Sequence, residues 1–197
     1  MATPSHLLYL HGFRSSPKSF KAQRLQAWMQ QHQPGVHWWC PQLPPSPREA
    51  MALVENGLAR WPAGGFAVVG SSLGGFYATV VAEAHGCPAV VMNPAVDPAR
   101  DLARYIGEQT AWHDPAERFH FRPEFVDELR AIAPPPRLSR PERYFALIAK
   151  GDELLDWREM SARYQGATMR LLEGSDHALS DFDAHLPHLT HFLNLDP

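Results

Sequence analysis

Gly70-Ser71-Ser72-Leu73-Gly74 is the stretch of this chain whose residue types and spacing could do chemistry. A serine with glycine two places before and two places after fits a nucleophile elbow. That is the tight strand-to-helix turn that lifts a hydroxyl clear of a sheet for attack on a carbonyl carbon. The glycines at 70 and 74 have a steric reason, since side chains there would hold the strand and the helix apart. The serine itself is expected in a strained backbone conformation. The NH of Leu73, at the helix N-terminus, is left free to bind an oxyanion. As a bare string the motif is common; here an apolar run, Phe66–Val69, precedes it, and a helical segment with a further glycine at 75 follows. The competing reading is a glycine-rich turn carrying a solvated serine.

A serine hydroxyl is a weak nucleophile and needs a base. The chain has 11 histidines, so something other than residue type must choose among them. Chain order does so, because elbow serines are followed by the acid and then by the histidine. His177, in Glu173-Gly-Ser-Asp-His177 beyond the last apolar strand, takes that place. Among the later histidines, His185 and His188 share a helix face. No carboxylate or cysteine completes a ligand set beside them, so no metal is expected, nor any organic cofactor. The acid should follow the penultimate strand. Asp152, directly after Gly151, is the expected acid, orienting the imidazole and stabilising the imidazolium. Asp156 is the alternative, with its own reading as a helix-start carboxylate. A second oxyanion donor is expected from the loop His11-Gly12-Phe13-Arg14, as the NH of Phe13. His11 reads as a structural hydrogen-bonding residue, and Arg14 as an exposed cation or a contact for an anionic substrate group.

These residues need a scaffold that brings distant loops to one edge. His6–Leu10, Val36–Cys40, Phe66–Val69, Ala89–Met92, Arg143–Ala149 and Thr168–Leu172 read as short buried strands. Helical periodicity falls at Lys18–Gln31, Pro47–Trp61, Gly74–His85, Trp157–Gln165 and Phe182–Leu193. Ser46 is the expected N-cap of the second helix, with Pro47 at its first position. This alternation predicts a parallel sheet of six strands in the order 2-1-3-4-5-6, covered by helices on both faces. The whole chain, 1–197, is expected to form one domain. Between Asn93 and Arg140 the rhythm breaks: no good strand is visible, only helical patches at 98–107 and 123–132. The segment at about 97–141 therefore reads as a lid inserted at the edge where such sheets bind ligands.

Composition narrows the function class. Hydrophobic residues make up 45% and charged residues 20%, the balance of an ordinary globular protein. A net charge of -3 supplies no basic field for nucleic acid. No apolar run reaches the ~20 residues that span a bilayer. The N-terminus has no signal-peptide pattern, so the default expectation is the cytoplasm. The two cysteines, Cys40 and Cys87, sit beside apolar strands and read as small packed thiols rather than as a disulfide.

Tyr9-Leu-His-Gly-Phe-Arg-Ser-Ser-Pro-Lys-Ser-Phe20, Gly70-Ser-Ser-Leu-Gly-Gly-Phe-Tyr77, Asn93-Pro-Ala-Val96, Gly151-Asp-Glu-Leu-Leu-Asp156 and Gly174-Ser-Asp-His177 occur in that order. Together they resemble the small bacterial YqiA-like esterases of the α/β-hydrolase superfamily, from about Leu7 to near the C-terminus. The resemblance implies a three-layer α/β-hydrolase fold with a minimal sheet that lacks two leading antiparallel strands. It implies a triad at Ser72, Asp152 and His177. The expected activity is hydrolysis of a carboxylic ester or acyl thioester, a small-molecule substrate. Acyl transfer or perhydrolysis on the same triad, and a non-catalytic binding protein on the same scaffold, are the alternatives. The segment from Trp112 to Phe121 does not follow the family pattern.

Overall fold

The computed structural model describes residues 3–112, 114 and 116–196; Met1, Ala2, His113, Pro115 and Pro197, and with them part of the 97–141 segment, lie outside the described residues. Six parallel strands form the main sheet: β1 (His6–Leu10), β2 (His37–Trp39), β3 (Phe66–Ser71), β4 (Ala89–Met92), β7 (Tyr144–Ala149) and β8 (Thr168–Leu172). Their order is β2-β1-β3-β4-β7-β8, the expected 2-1-3-4-5-6 among the six. The register is continuous through the centre, with Leu8 beside Val68, Val69 beside Val90, and Val90 beside Phe145.

The strands are apolar on both faces because both are covered. Leu8, Leu10, Val68, Val91, Ala146 and Ile148 face one core. That core is closed by α2 (Pro47–Leu58), α3 (Leu73–His85) and α5 (Pro123–Ala131) through residues such as Val54, Val81 and Leu129. Leu7, Tyr9, Val69, Met92 and Leu147 face the other, closed by α1 (Phe20–His32) and α7 (Phe182–Phe192) through Leu25, Met29, Phe182 and Leu189. The result is a three-layer α/β fold. Two further short helices complete it, α4 (Pro98–Leu102) and α6 (Trp157–Arg163). Ser46 does cap α2, its hydroxyl accepting from the Glu49 NH at 3.2 Å with Pro47 at the first position.

The 93–140 segment departs from the reading without strands. It contains an antiparallel ribbon, β5 (Gly107–Thr110) paired with β6 (Arg118–Phe121), with Gly107 opposite Phe121 and Thr110 opposite Arg118. Glu108, Gln109, Thr110, Arg118 and His120 leave it little apolar alternation to read. What holds it is tertiary. The Phe13 ring meets Phe119 and Phe121 edge-on, with ring centres 5.9 and 5.2 Å away. Arg14 Nε donates to the Thr110 carbonyl at 2.6 Å.

Candidate active site

The elbow forms where β3 runs into α3. Ser72 has φ 56 and ψ -122, a backbone conformation that a residue with a side chain rarely adopts. Hydrogen bonds hold it there: its NH donates to the Met92 carbonyl at 3.0 Å, and its own carbonyl accepts from the Ala95 NH at 3.0 Å. The close approach that permits this turn runs through glycine. A Cβ on Gly70 would lie 2.1 Å from the Gly74 carbonyl oxygen, and one on Gly74 would lie 1.9 Å from the Leu10 carbonyl oxygen.

His177 and Asp152 come to the same sheet edge from the loops after β8 and β7. His177 Nε2 lies 3.0 Å from Ser72 Oγ, and His177 Nδ1 lies 2.7 Å from Asp152 Oδ2. The Asp152 side chain is fully buried. Its other oxygen accepts from the NH groups of Leu154 and Leu155 at 2.8 and 2.9 Å, which fixes the carboxyl group facing the ring. Asp156, the alternative acid, is elsewhere. It caps α6, accepting from the Arg158 NH at 2.9 Å, and is half exposed. It is the helix-start carboxylate that was its other reading.

Phe13 and Leu73, the expected oxyanion donors, line one cavity with Ser72 and His177. Leu73 is the first residue of α3, so its NH has no acceptor within the helix. Gly12 brings the preceding loop against the serine: a Cβ there would stand 3.2 Å from Ser72 Cβ. His11 fastens that loop, accepting from the Leu43 NH at Nε2, 3.0 Å away, while Nδ1 meets the Gly12 carbonyl at 3.0 Å. The cavity has a volume of about 970 Å³. Its far wall comes from the 97–141 segment, through Pro98, Leu102, Tyr105 and Trp112. Arg14 is neither a free cation nor simply exposed. Its guanidinium stacks on Trp112, 4.0 Å from the ring centre, and its carbonyl accepts from the Trp112 NH at 2.8 Å.

A family model described as an uncharacterised protein family, UPF0227, matches residues 6–194, nearly the whole chain. The chain belongs to UPF0227. This is the YqiA-like family that the ordered motifs resemble. Among solved structures, the UPF0227 chain is similar to a putative hydrolase from Agrobacterium vitis S4, with TM-score 0.76 and 16% identity, covering 98% of this chain and 91% of that one. It is similar to alpha/beta hydrolase domain-containing protein 10 from mouse, with TM-score 0.72 and 16% identity, over 96% and 89% of the two chains. It is also similar to Est1E from Butyrivibrio proteoclasticus with ferulic acid bound, with TM-score 0.66 and 14% identity, over 96% and 86%. At such identities the likeness is one of fold: this UPF0227 member is an α/β-hydrolase-fold protein.

Several residues around the site were not singled out in the sequence. Glu153 Oε2 accepts from the His177 NH at 3.0 Å, and the Asn93 amide contacts the same loop. A carboxylate beside the expected acid was a visible signal for Glu153. Asn93 stood out only as the first residue of the motif Asn93-Pro-Ala-Val96, with no role attached, and Lys21 had no signal, because the partners of both lie far along the chain. Lys21 lines the cavity from the first turn of α1 and donates to the Ala178 carbonyl. The cysteine thiols are free, and burial pushes both up to about 12, which leaves them protonated and inert at neutral pH.

Burial pushes the Lys21 ammonium down from 10.5 to about 8, against the opposing pull of Asp176 and Asp152. Below about pH 8 the folded UPF0227 chain carries the cost of a buried charge. Between about 8 and 10.5 the folded chain has released that proton and the unfolded chain has not, so stability should rise with pH through this window. Lys21→Met should lack the rise. Relative to it, wild type should gain on the order of 1–2 kcal/mol, discounted for the partial exposure of the side chain. Urea unfolding from about pH 7.5 to 10 reads this directly, and parallel pH profiles for the two proteins would remove the assignment.

Proposed function

We propose that this protein is a serine hydrolase that cleaves carboxylic esters or acyl thioesters through an acyl-enzyme. The observation that carries the reading is the unbroken hydrogen-bonded line from Ser72 Oγ through His177 to the buried Asp152, with steps of 3.0 and 2.7 Å, opening on a large cavity. A nucleophile, a base and an orienting acid at these distances are what covalent acyl transfer needs. The fold likeness to hydrolases and esterases agrees with it.

In this reading His177 takes the Ser72 proton as Oγ attacks the carbonyl carbon. The NH groups of Phe13 and Leu73 bind the oxyanion. His177 then gives the proton to the departing alcohol or thiol. Water, deprotonated by the same ring, attacks the acyl-enzyme, and collapse releases the acid and restores Ser72. Asp152 stays ionised, holds the tautomer with the proton on Nδ1 and stabilises the imidazolium. The 97–141 segment is the lid of a single α/β-hydrolase domain, shielding the acyl-enzyme on the side formed by Leu102, Tyr105 and Trp112.

Mass spectrometry after treatment with a fluorophosphonate tests the reading. One adduct is expected, on the peptide containing Ser72, and none on Ser72→Ala. A folded wild-type protein that takes up no reagent would mean that Ser72 is not activated, and the binding-protein alternative would replace this one.

A further inference from the structure

Met92, the last residue of β4, and the residues after it contact the Ser72 backbone, the His177 loop and the tip of β7. The Met92 carbonyl and the Ala95 NH hold the two backbone groups of Ser72, each at 3.0 Å. Between them stands Asn93, which is 1% exposed. Its side chain spends both donors and its acceptor. Nδ2 donates to the carbonyl oxygens of Asp176 and His177, at 2.9 and 3.1 Å. Oδ1 accepts from the Ala149 NH at 2.7 Å, at the tip of β7, and the Ala149 carbonyl in turn accepts from the Asp152 NH at 3.3 Å. Asn93 therefore ties the loop that carries His177 to the end of the strand that leads into the Asp152 loop. Its backbone has φ 40, and asparagine is among the few residues with a side chain that adopt this region readily. The His177 loop contains no helix or strand; its own turns fold it, with the Leu179 NH on the Asp176 carbonyl at 3.1 Å, and bonds from Asn93 and Glu153 tie it to the rest of the site.

We propose that Asn93 is a positioning residue that sets His177 against Asp152 and Ser72. The proposal rests on the hydrolase reading for its effect on rate, and on geometry alone for its effect on the His177–Asp152 hydrogen bond. A buried amide with all its hydrogen atoms committed fixes both the distance and the tilt of what it binds. Hydrolysis through His177 depends on that tilt, because a displacement of about 1 Å in a reacting group costs on the order of 100-fold in rate.

Asn93→Asp is the sharpest test. It keeps the shape, the tolerance for positive φ and the acceptor for the Ala149 NH, and replaces the two N–H donors to the loop with none when ionised and a single O–H when protonated. Asn93→Gly is the second variant; it also tolerates the backbone and leaves room for water to meet the stranded groups. With an activated ester, either folded variant should lose about 10- to 100-fold in kcat, while KM changes by less than about threefold. The second reading needs no turnover. The low-field proton signal of the His177–Asp152 hydrogen bond, assigned as the one absent from His177→Ala, should be present in wild type and weakened or shifted in the Asn93 variants.

A folded Asn93→Asp or Asn93→Gly with wild-type kcat and an unchanged low-field signal would overturn the proposal. So would loss of folding in both, which would make Asn93 a residue of the fold rather than of the site. The two readings fail separately. A wild-type protein without esterase activity, whose low-field signal nonetheless depends on Asn93, would sink the hydrolase reading and leave the positioning role standing.

Discussion

Ser72→Ala is expected to lower kcat on an activated ester by about 10⁴–10⁶-fold, His177→Ala by a similar factor, and the double variant by no more than either alone. The size follows from the chain of contacts. Ser72 Oγ has His177 Nε2, the proposed base, at 3.0 Å, and a serine without a base is only an alcohol. The base without the serine has nothing to activate except water held at the wrong place. Each residue is therefore worth nearly the whole covalent pathway, and removing the second finds nothing left to lose. The residual rate above solution would come from the NH groups of Phe13 and Leu73 and from the cavity. KM should move little, because neither side chain supplies binding area comparable with the cavity walls. The measurement is a double-variant cycle on kcat and kcat/KM, with folding checked by circular dichroism. Independent, multiplying losses would mean that Ser72 and His177 do not act as a unit. A Ser72→Ala protein with near wild-type turnover would move the nucleophile elsewhere.

The parts of this architecture that were legible are those specified by neighbours in sequence. Ala89–Met92 and Thr168–Leu172 are strands with the ends their apolar runs suggest. Ser46-Pro47 starts α2 where cap chemistry places it. The edge strand β2 is shorter than Val36–Cys40 because only His37, Trp38 and Trp39 pair with β1. The β5–β6 ribbon was invisible for a related reason. Its residues are mostly polar, and its stability is lent by Phe13 and Arg14, about a hundred residues earlier. The site divides in the same way. Gly70, Ser72 and Gly74 announce themselves because strand, turn and helix are contiguous, and Asp152 and His177 could be placed by chain order. The place of Asp152 directly after Gly151 favours it over Asp156, although both follow the same strand. The structure puts the imidazole of His177 2.7 Å from Asp152 and places Asp156 at the start of α6, accepting from the Arg158 NH. Asn93 acts on carbonyls 83 and 84 positions away, and no local pattern encodes such a contact.

Gly74→Ala should be the most destabilising single-methyl addition at a glycine in the chain, with a loss of about 4 kcal/mol or more. The new Cβ would lie 1.9 Å from the Leu10 carbonyl oxygen, 2.5 Å from its carbon and 2.7 Å from the His11 carbonyl oxygen. These are backbone atoms of the central sheet and of the loop that carries Phe13, so no flexible side chain can swing away. Relief requires α3 to move off β1. That movement would open a gap beneath Leu73 and Phe76 in a core packed at crystal-like density. The helix propensity gained by alanine over glycine, about 1 kcal/mol, is too small to offset it. Gly35→Ala is the matched control. It has no atom within 4 Å of the new Cβ and no positive φ, so its stability should stay within about 0.5 kcal/mol of wild type. Urea unfolding midpoints for the two variants measure the difference. If Gly74→Ala unfolds with the wild-type midpoint, β1 and α3 do not approach as closely as described, and the Ser72 turn cannot be held by that contact. If it is destabilised while the folded fraction still reacts with fluorophosphonate, glycine at 74 serves the fold of the elbow rather than the reactivity of the serine.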